Sequence, residues 1–149
     1  MRRNPGLAWL PAGALALLLP LLLPLAGCAG DSKQGQAGDG SIVGPVWTAQ
    51  EIAGAPVTGE APVTLQLGAD GRASGRGGCN GFGGSYTLAG DALSFSPLAA
   101  TRMACAPALM DQEQRYFDTL AKVTHYAVAD DGALLLETAE GTEIRLRRE

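Results

Sequence analysis

The chain keeps a two-residue hydrophobic period almost throughout and breaks it once for a helical one. No other feature restricts its fold as much. Val63, Leu65 and Leu67 alternate with Thr64 and Gln66 before "GADGR" turns the chain, the mark of a half-buried strand entering a hairpin. Tyr86 and Leu88 alternate likewise, "AGD" turns, and Leu93 and Phe95 continue. "HYAVADDGALLLE" repeats the scheme around "DDG", and "AEG" leads into Ile144 and Leu146, flanked by Glu143, Arg145 and Arg147. Trp47 to Ile52 opens the sheet. The exception is "PALMDQEQRYFDTLAKV", 107 to 123, with proline at a first helical position and strong helix formers after it. Leu109, Tyr116, Leu120 and Val123, flanked by Met110 and Phe117, make one stripe at helical spacing. The expectation is an α+β fold, mostly β: an antiparallel meander curling into a barrel or sandwich, with one helix packed across an open end or face.

The N-terminus has a different character. Arg2 and Arg3 precede an apolar run from Leu7 to Leu25 broken by Pro11, Pro20 and Pro24, and no acid appears before Asp31. A basic start, an apolar middle and small residues at the exit describe a secretory leader, and the prolines argue against a permanent helical span. Leu25-Ala26-Gly27-Cys28 resembles the bacterial lipobox, whose cysteine takes diacylglycerol and becomes the new N-terminus. Residues 1–27 are thus expected to be cleaved, and Cys28 to be lipidated. Two or three acyl chains hold a membrane far more firmly than one. Ala29, rather than Asp, follows the cysteine, which directs such chains to the outer membrane, on its periplasmic face.

Residues 28–45 then read as the lipidated cysteine plus a flexible tether of Gly, Ser, Gln, Asp and Lys. The domain is expected over 46–149, long enough for a modest core. The full chain has eleven basic and fifteen acidic side chains. The leader removes two of the basic ones, so the mature chain carries about −6, with no basic run before "RLRR". Nucleic acid is excluded as an expected partner.

"GGCNGFGGSY", 77 to 86, sets a cysteine among glycines. With Cys28 lipidated, Cys79 and Cys105 remain, and an even pair in an oxidising compartment is expected to form a disulfide. Gly77, Gly78, Gly81, Gly83 and Gly84 would then serve a tight corner between strands, with Asn80 bonding nearby backbone and Phe82 and Tyr86 covering it. A phosphate-cradling loop would need the Lys-Ser/Thr ending that is missing here. A metal site built from Cys79, Cys105 and His125 lacks an evident fourth ligand, and no metal or other cofactor is expected. A Ser-His-Asp arrangement could use only His125, and no G-x-S-x-G elbow occurs. Glu113 shares the spacing of Leu109 and Tyr116 and so points toward the apolar side, where it needs a partner. Arg102 is the nearest candidate. Thr101 and Met103 read as strand residues.

These segments together resemble the META/HslJ domain family. The likeness runs over the whole domain: Trp47, then Gly78-Cys79-Asn80-Gly81-Phe82-Gly83-Gly84-Ser85-Tyr86, then Thr101-Arg102-Met103-Ala104-Cys105, then Glu113 and Phe117. The resemblance implies a cracked β-barrel similar to that of type III secretion pilot proteins. It also implies an envelope lipoprotein linked to heat shock or antibiotic tolerance, and no reaction. The expected function is therefore non-enzymatic: an anchored binding or adaptor module that takes an envelope protein or a lipid tail in the barrel's cleft. An apolar groove beside the helix would be its mark. The alternative is a metal-handling protein or enzyme using Cys79, Cys105 and His125, or Glu113 and Arg102.

Overall fold

A computed structural model of the chain describes residues 42–149. The leader, Cys28 and the tether as far as residue 41 lie outside the described residues. Ten strands and one helix follow in order: β1 (Val46–Ile52), β2 (Ala55–Pro56), β3 (Val63–Leu67), β4 (Arg72–Gly77), β5 (Gly81–Ala89), β6 (Ala92–Phe95), β7 (Ala99–Ala100), α1 (Pro107–Leu120), β8 (Val123–Val128), β9 (Leu134–Thr138) and β10 (Glu143–Arg148). Eight of the strands form a closed antiparallel ring in the order β1-β3-β4-β5-β6-β8-β9-β10, and β10 returns to β1 with Trp47 opposite Arg148 and Ile52 opposite Ile144. The short β2 and β7 lie off this ring, on β1 and β5. The expected mostly β fold with one packed helix holds.

Closure is uneven around the ring. Most neighbours share four or five register pairs, but β6 and β8 share only Ala92 with His125. The Tyr126 N–H donates to the Asp91 carbonyl at 3.0 Å beside that pair. The break anticipated in the wall is reduced to this narrow seam, where the backbone ladder passes through a single point.

Alternation decides which side chains fill the barrel. Val63, Leu65 and Leu67 are fully buried on β3, as are Leu134 and Leu136 on β9 and Ile144 and Leu146 on β10. Tyr116 and Leu120 of α1 enter the same cluster, so barrel and helix share one core. The helix ends at Leu120, three residues short of the expected 123. The Lys122 N–H turns back onto the Thr119 carbonyl at 3.0 Å, and β-branched Val123, although buried, starts β8.

Two further expectations shift. The domain starts before Val46, because Ile42 is fully buried and its carbonyl accepts the Trp47 indole N–H at 3.0 Å. The Gly44 N–H also donates to the Leu67 carbonyl at 2.8 Å, so 42–45 belong to the domain rather than the tether. A single Ile-Val pair after a glycine-serine run is a faint signal. The glycine-rich stretch, for its part, is mostly strand. Gly81, Gly83 and Gly84 lie in β5 and Gly77 ends β4, and of these residues only Gly78 takes a positive φ, +114°.

Some of the strand glycines serve close approach instead, Gly75, Gly77 and Gly84 among them, whereas Gly81 and Gly83 have room. A Cβ on Gly75 of β4 would fall on the Thr64 carbonyl of β3 and within 2.9 Å of the Phe82 ring. A Cβ on Gly81 would meet nothing nearer than 3.7 Å. Gly75→Ala should therefore cost about 1–3 kcal/mol as the wall is forced apart, whereas Gly81→Ala should cost about 1 kcal/mol or less. Urea unfolding of the two variants checks this; equal losses would contradict it.

Candidate functional site

The turn from β4 to β5 consists of Gly78, Cys79 and Asn80, all buried. Gly78 adopts its positive φ against Leu109, whose Cδ1 would lie 2.7 Å from an added Cβ. At Gly77 an added Cβ would lie 2.7 Å from the Glu113 Cγ and 2.8 Å from the Phe117 ring. The absence of side chains here lets α1 sit directly on the turn.

Asn80 uses every polar atom it has. Its backbone N–H donates to Glu113 Oε2 and its side-chain amide to Glu113 Oε1, both at 2.6 Å. The same amide nitrogen donates to the Met103 carbonyl at 3.3 Å. Oδ1 accepts from the Thr101 hydroxyl at 2.8 Å and the Met103 N–H at 2.7 Å, and the backbone carbonyl accepts the Gly77 N–H at 2.8 Å. One side chain so joins the turn, the 101–105 strap and the helix. Glu113 is only 4 % exposed, and both of its oxygens are satisfied by Asn80. Hydrogen bonds to a charged group contribute roughly 1.5–3 kcal/mol each, more than neutral ones.

A covalent tie runs beside this network. Cys79 and Cys105 form a disulfide, with Cα atoms 6.1 Å apart. Cys79 is buried and Cys105 exposed, so the bridge pins the strap to the turn from outside. On the inner side, Phe82 meets Tyr116 and Phe117 edge-on at 5.9 and 5.5 Å. The Tyr116 hydroxyl donates to the Thr64 carbonyl at 3.1 Å, and burial pushes its phenol far above the ordinary tyrosine value. It therefore remains a neutral donor.

Several expectations need correction. Glu113 has the partner it requires, but that partner is Asn80; Arg102 is exposed and forms no ion pair among the described residues. Thr101 and Met103 belong to an extended strap beyond β7 rather than to a strand. Tyr86 does not cover the corner, since its hydroxyl donates to the Gly68 carbonyl in the β3–β4 turn at 2.7 Å. Phe82 does pack behind it. The trio of Cys79, Cys105 and His125 is not assembled. The two sulfurs are bonded to each other, while His125 is exposed on β8 with Nδ1 3.0 Å from the Thr124 hydroxyl. The "RLRR" end is engaged too: Arg145 and Arg147 share Asp131 at 2.6 and 2.7 Å, and Arg148 stacks over Trp47.

Sequence reasoning missed Gln112. It is 2 % exposed; its Oε1 accepts the Thr58 N–H at 2.8 Å and its Nε2 donates to the Thr58 carbonyl at 3.3 Å, holding the 57–62 loop to the helix. Gln112 lies one turn before Tyr116, so the helical stripe itself could have revealed it.

Beside this polar knot runs a groove, apolar in its narrower part and mixed in its wider one. A cavity of about 360 Å³ opens between Phe95, Pro97, Leu98 and Ala100 on one side and Phe117 of α1 with Ala121 just past its end on the other. Past Leu98, Ala100 and Phe117 it continues into a hollow of about 650 Å³ that reaches Met103, Met110 and Arg102. Met103 is 52 % exposed. The groove runs from the end of β6 along the 96–103 segment, with the helix as its other wall.

The family model described as META domain matches residues 41–149. No curated protein matches the chain. Among solved structures, one described as the NMR structure of a protein from Burkholderia xenovorans is 28 % identical, with a TM-score of 0.59, covering 72 % of this chain and 83 % of its own. A second NMR structure is 27 % identical, with a TM-score of 0.57, covering 69 % of this chain and 87 % of its own. Trp47, Gly78, Asn80, Thr101, Glu113 and Phe117, on which the resemblance rests, all fall within the matched span.

Glu113→Gln turns one acceptor into a donor facing Asn80. It should lower stability by about 1–3 kcal/mol, the cost of an unsatisfied buried group. Joint replacement of Cys79 and Cys105 by Ser should cost about 3–4 kcal/mol for a loop of this length. Arg102→Ala should stay within about 0.5 kcal/mol. Urea denaturation measures all three, and a neutral Glu113→Gln would contradict the assignment.

Proposed function

We propose, on the premise that the chain belongs to the META domain family, that it is a non-enzymatic binding module held by lipid on Cys28 at the periplasmic face of the outer membrane. Family membership supports a general envelope-associated role. The finer reading gives the module an adaptor task in envelope integrity or in stress such as heat or antibiotic exposure, with no cofactor.

One observation carries it. Asn80, Thr101 and Glu113, the residues with the most chemical potential in the family motifs, are consumed in bonds to one another and to backbone. A general acid or base needs an oxygen or nitrogen free to meet a substrate, and both oxygens of Glu113 already accept from Asn80. What the domain offers to another molecule is instead a groove along the helix, apolar by Phe95, Leu98 and Phe117 and mixed where it reaches Thr101 and Arg102, the kind of concave surface that serves recognition. The disulfide suits an oxidising compartment, in keeping with the leader and the Leu25-Ala26-Gly27-Cys28 motif.

Mass spectrometry of the protein extracted from membranes of its native host tests the anchor. The expected species begins at Cys28 and carries a diacylglycerol with a further acyl group on the amine, and Cys28→Ser should leave the membrane fraction. A membrane form with its leader intact, or with an unmodified amino end, would contradict the reading.

A further inference from the structure

The groove has a wall with unused backbone hydrogen bonds. β7 pairs with β5 alone, placing Ala99 opposite Gly83 and Ala100 opposite Phe82. The Thr101 N–H donates to the Gly81 carbonyl at 3.0 Å, so 101 and 81 form a hydrogen-bonded pair. Antiparallel ladders alternate such pairs with non-bonded ones, so the N–H and carbonyl of Ala100 point away from β5. No strand lies on that side among the described residues, because β8 has already parted from β6 at Ala92. Ala100 also lines both parts of the groove. Apolar contacts and an open strand edge thus run side by side.

A charge stands at one end. Arg102 lines the wider part of the groove, is exposed, and has no ion pair among the described residues. Glu113, the acid nearest it in that lining, is taken up by Asn80. The chain as a whole is acidic, at −4, so an isolated cation beside an apolar trough selects for an anion on whatever enters.

We propose that the groove binds an extended peptide segment of another protein, which adds a strand to the outer edge of β7. Its alternate side chains are apolar and fill the trough by Leu98 and Phe117, and an acidic side chain or terminal carboxylate meets Arg102. An acyl chain would use the trough but leave the Ala100 backbone groups without a role, so the open edge favours peptide over lipid. This deepens the reading of the protein as a binding module and rests on it.

A display library of random linear dodecapeptides, selected against the mature chain in detergent micelles, tests the proposal. Enriched peptides should carry apolar residues at every second position and an acid near one end. N-methylation at alternate positions should weaken them about tenfold or more, the equivalent of one or two lost hydrogen bonds. Arg102→Gln should weaken the acidic peptides several-fold and leave amidated or neutral ones unchanged. Ala100→Pro removes the outward N–H at a position where edge strands tolerate proline; it should abolish binding while keeping the urea midpoint near that of the parent. N-methylated peptides keep the test valid if that variant fails to fold. Peptides that bind by a helical spacing, binding that survives N-methylation, no enrichment at all, oleate binding in the groove where no peptide does, or a dimer formed through β7 would each overturn the proposal. Selected peptides that map to another face would overturn this site while leaving the binding-module reading intact.

Discussion

The two donors of Asn80 aimed at the two oxygens of Glu113 set the terms for the rest of the domain. A carboxyl group buried in an apolar setting is costly unless its oxygens are bonded, and here one residue satisfies both. That residue lies in a turn between β4 and β5 that exists only because Gly77 and Gly78 leave room for the helix. Helix, turn and strap are therefore one unit: removing any member strands a buried polar group in another.

The disulfide and the polar network hold the same strap by different physics. The Cys79–Cys105 bond mainly limits the unfolded chain, while the Asn80 bonds fix the folded geometry of 101–103. Held this way, the strap forms one wall of the groove opposite the helix, and one edge of β7 stays open along it. A polar motif thus shapes the surface beside it.

Much of this was legible in the sequence. Alternation on β3, β9 and β10 located the core strands because their side chains face the interior at every second position, and the helix announced itself by its proline and its stripe. The disulfide was expected from the leader-like N-terminus and the cysteine count, and it is present. Less visible was whatever depends on non-local fit. β4 carries a single buried apolar side chain, Ala73, so it has almost no periodicity to read. The glycines of β5 looked like a loop because glycine is the residue a turn favours, and they carry no side chain whose alternation would mark a strand. Glu113 was seen to need a partner, and Arg102 was the nearer choice by charge; the donors came instead from an uncharged asparagine whose position depends on the turn. Ile42 and Val43 are too short an apolar pair, among glycine and serine, to mark the start of the core.

The central claim is that the Asn80–Glu113 junction opens only when the whole domain does. Native-state hydrogen exchange of the Asn80 amide, compared with the buried amides of β9, measures this directly. Equal opening free energies for Asn80 and Leu136, rising together on stabilisation, are the predicted result. Rapid exchange at Asn80 while the β9 amides stay protected would contradict it, and would mean that the strap and its groove are held by the disulfide alone.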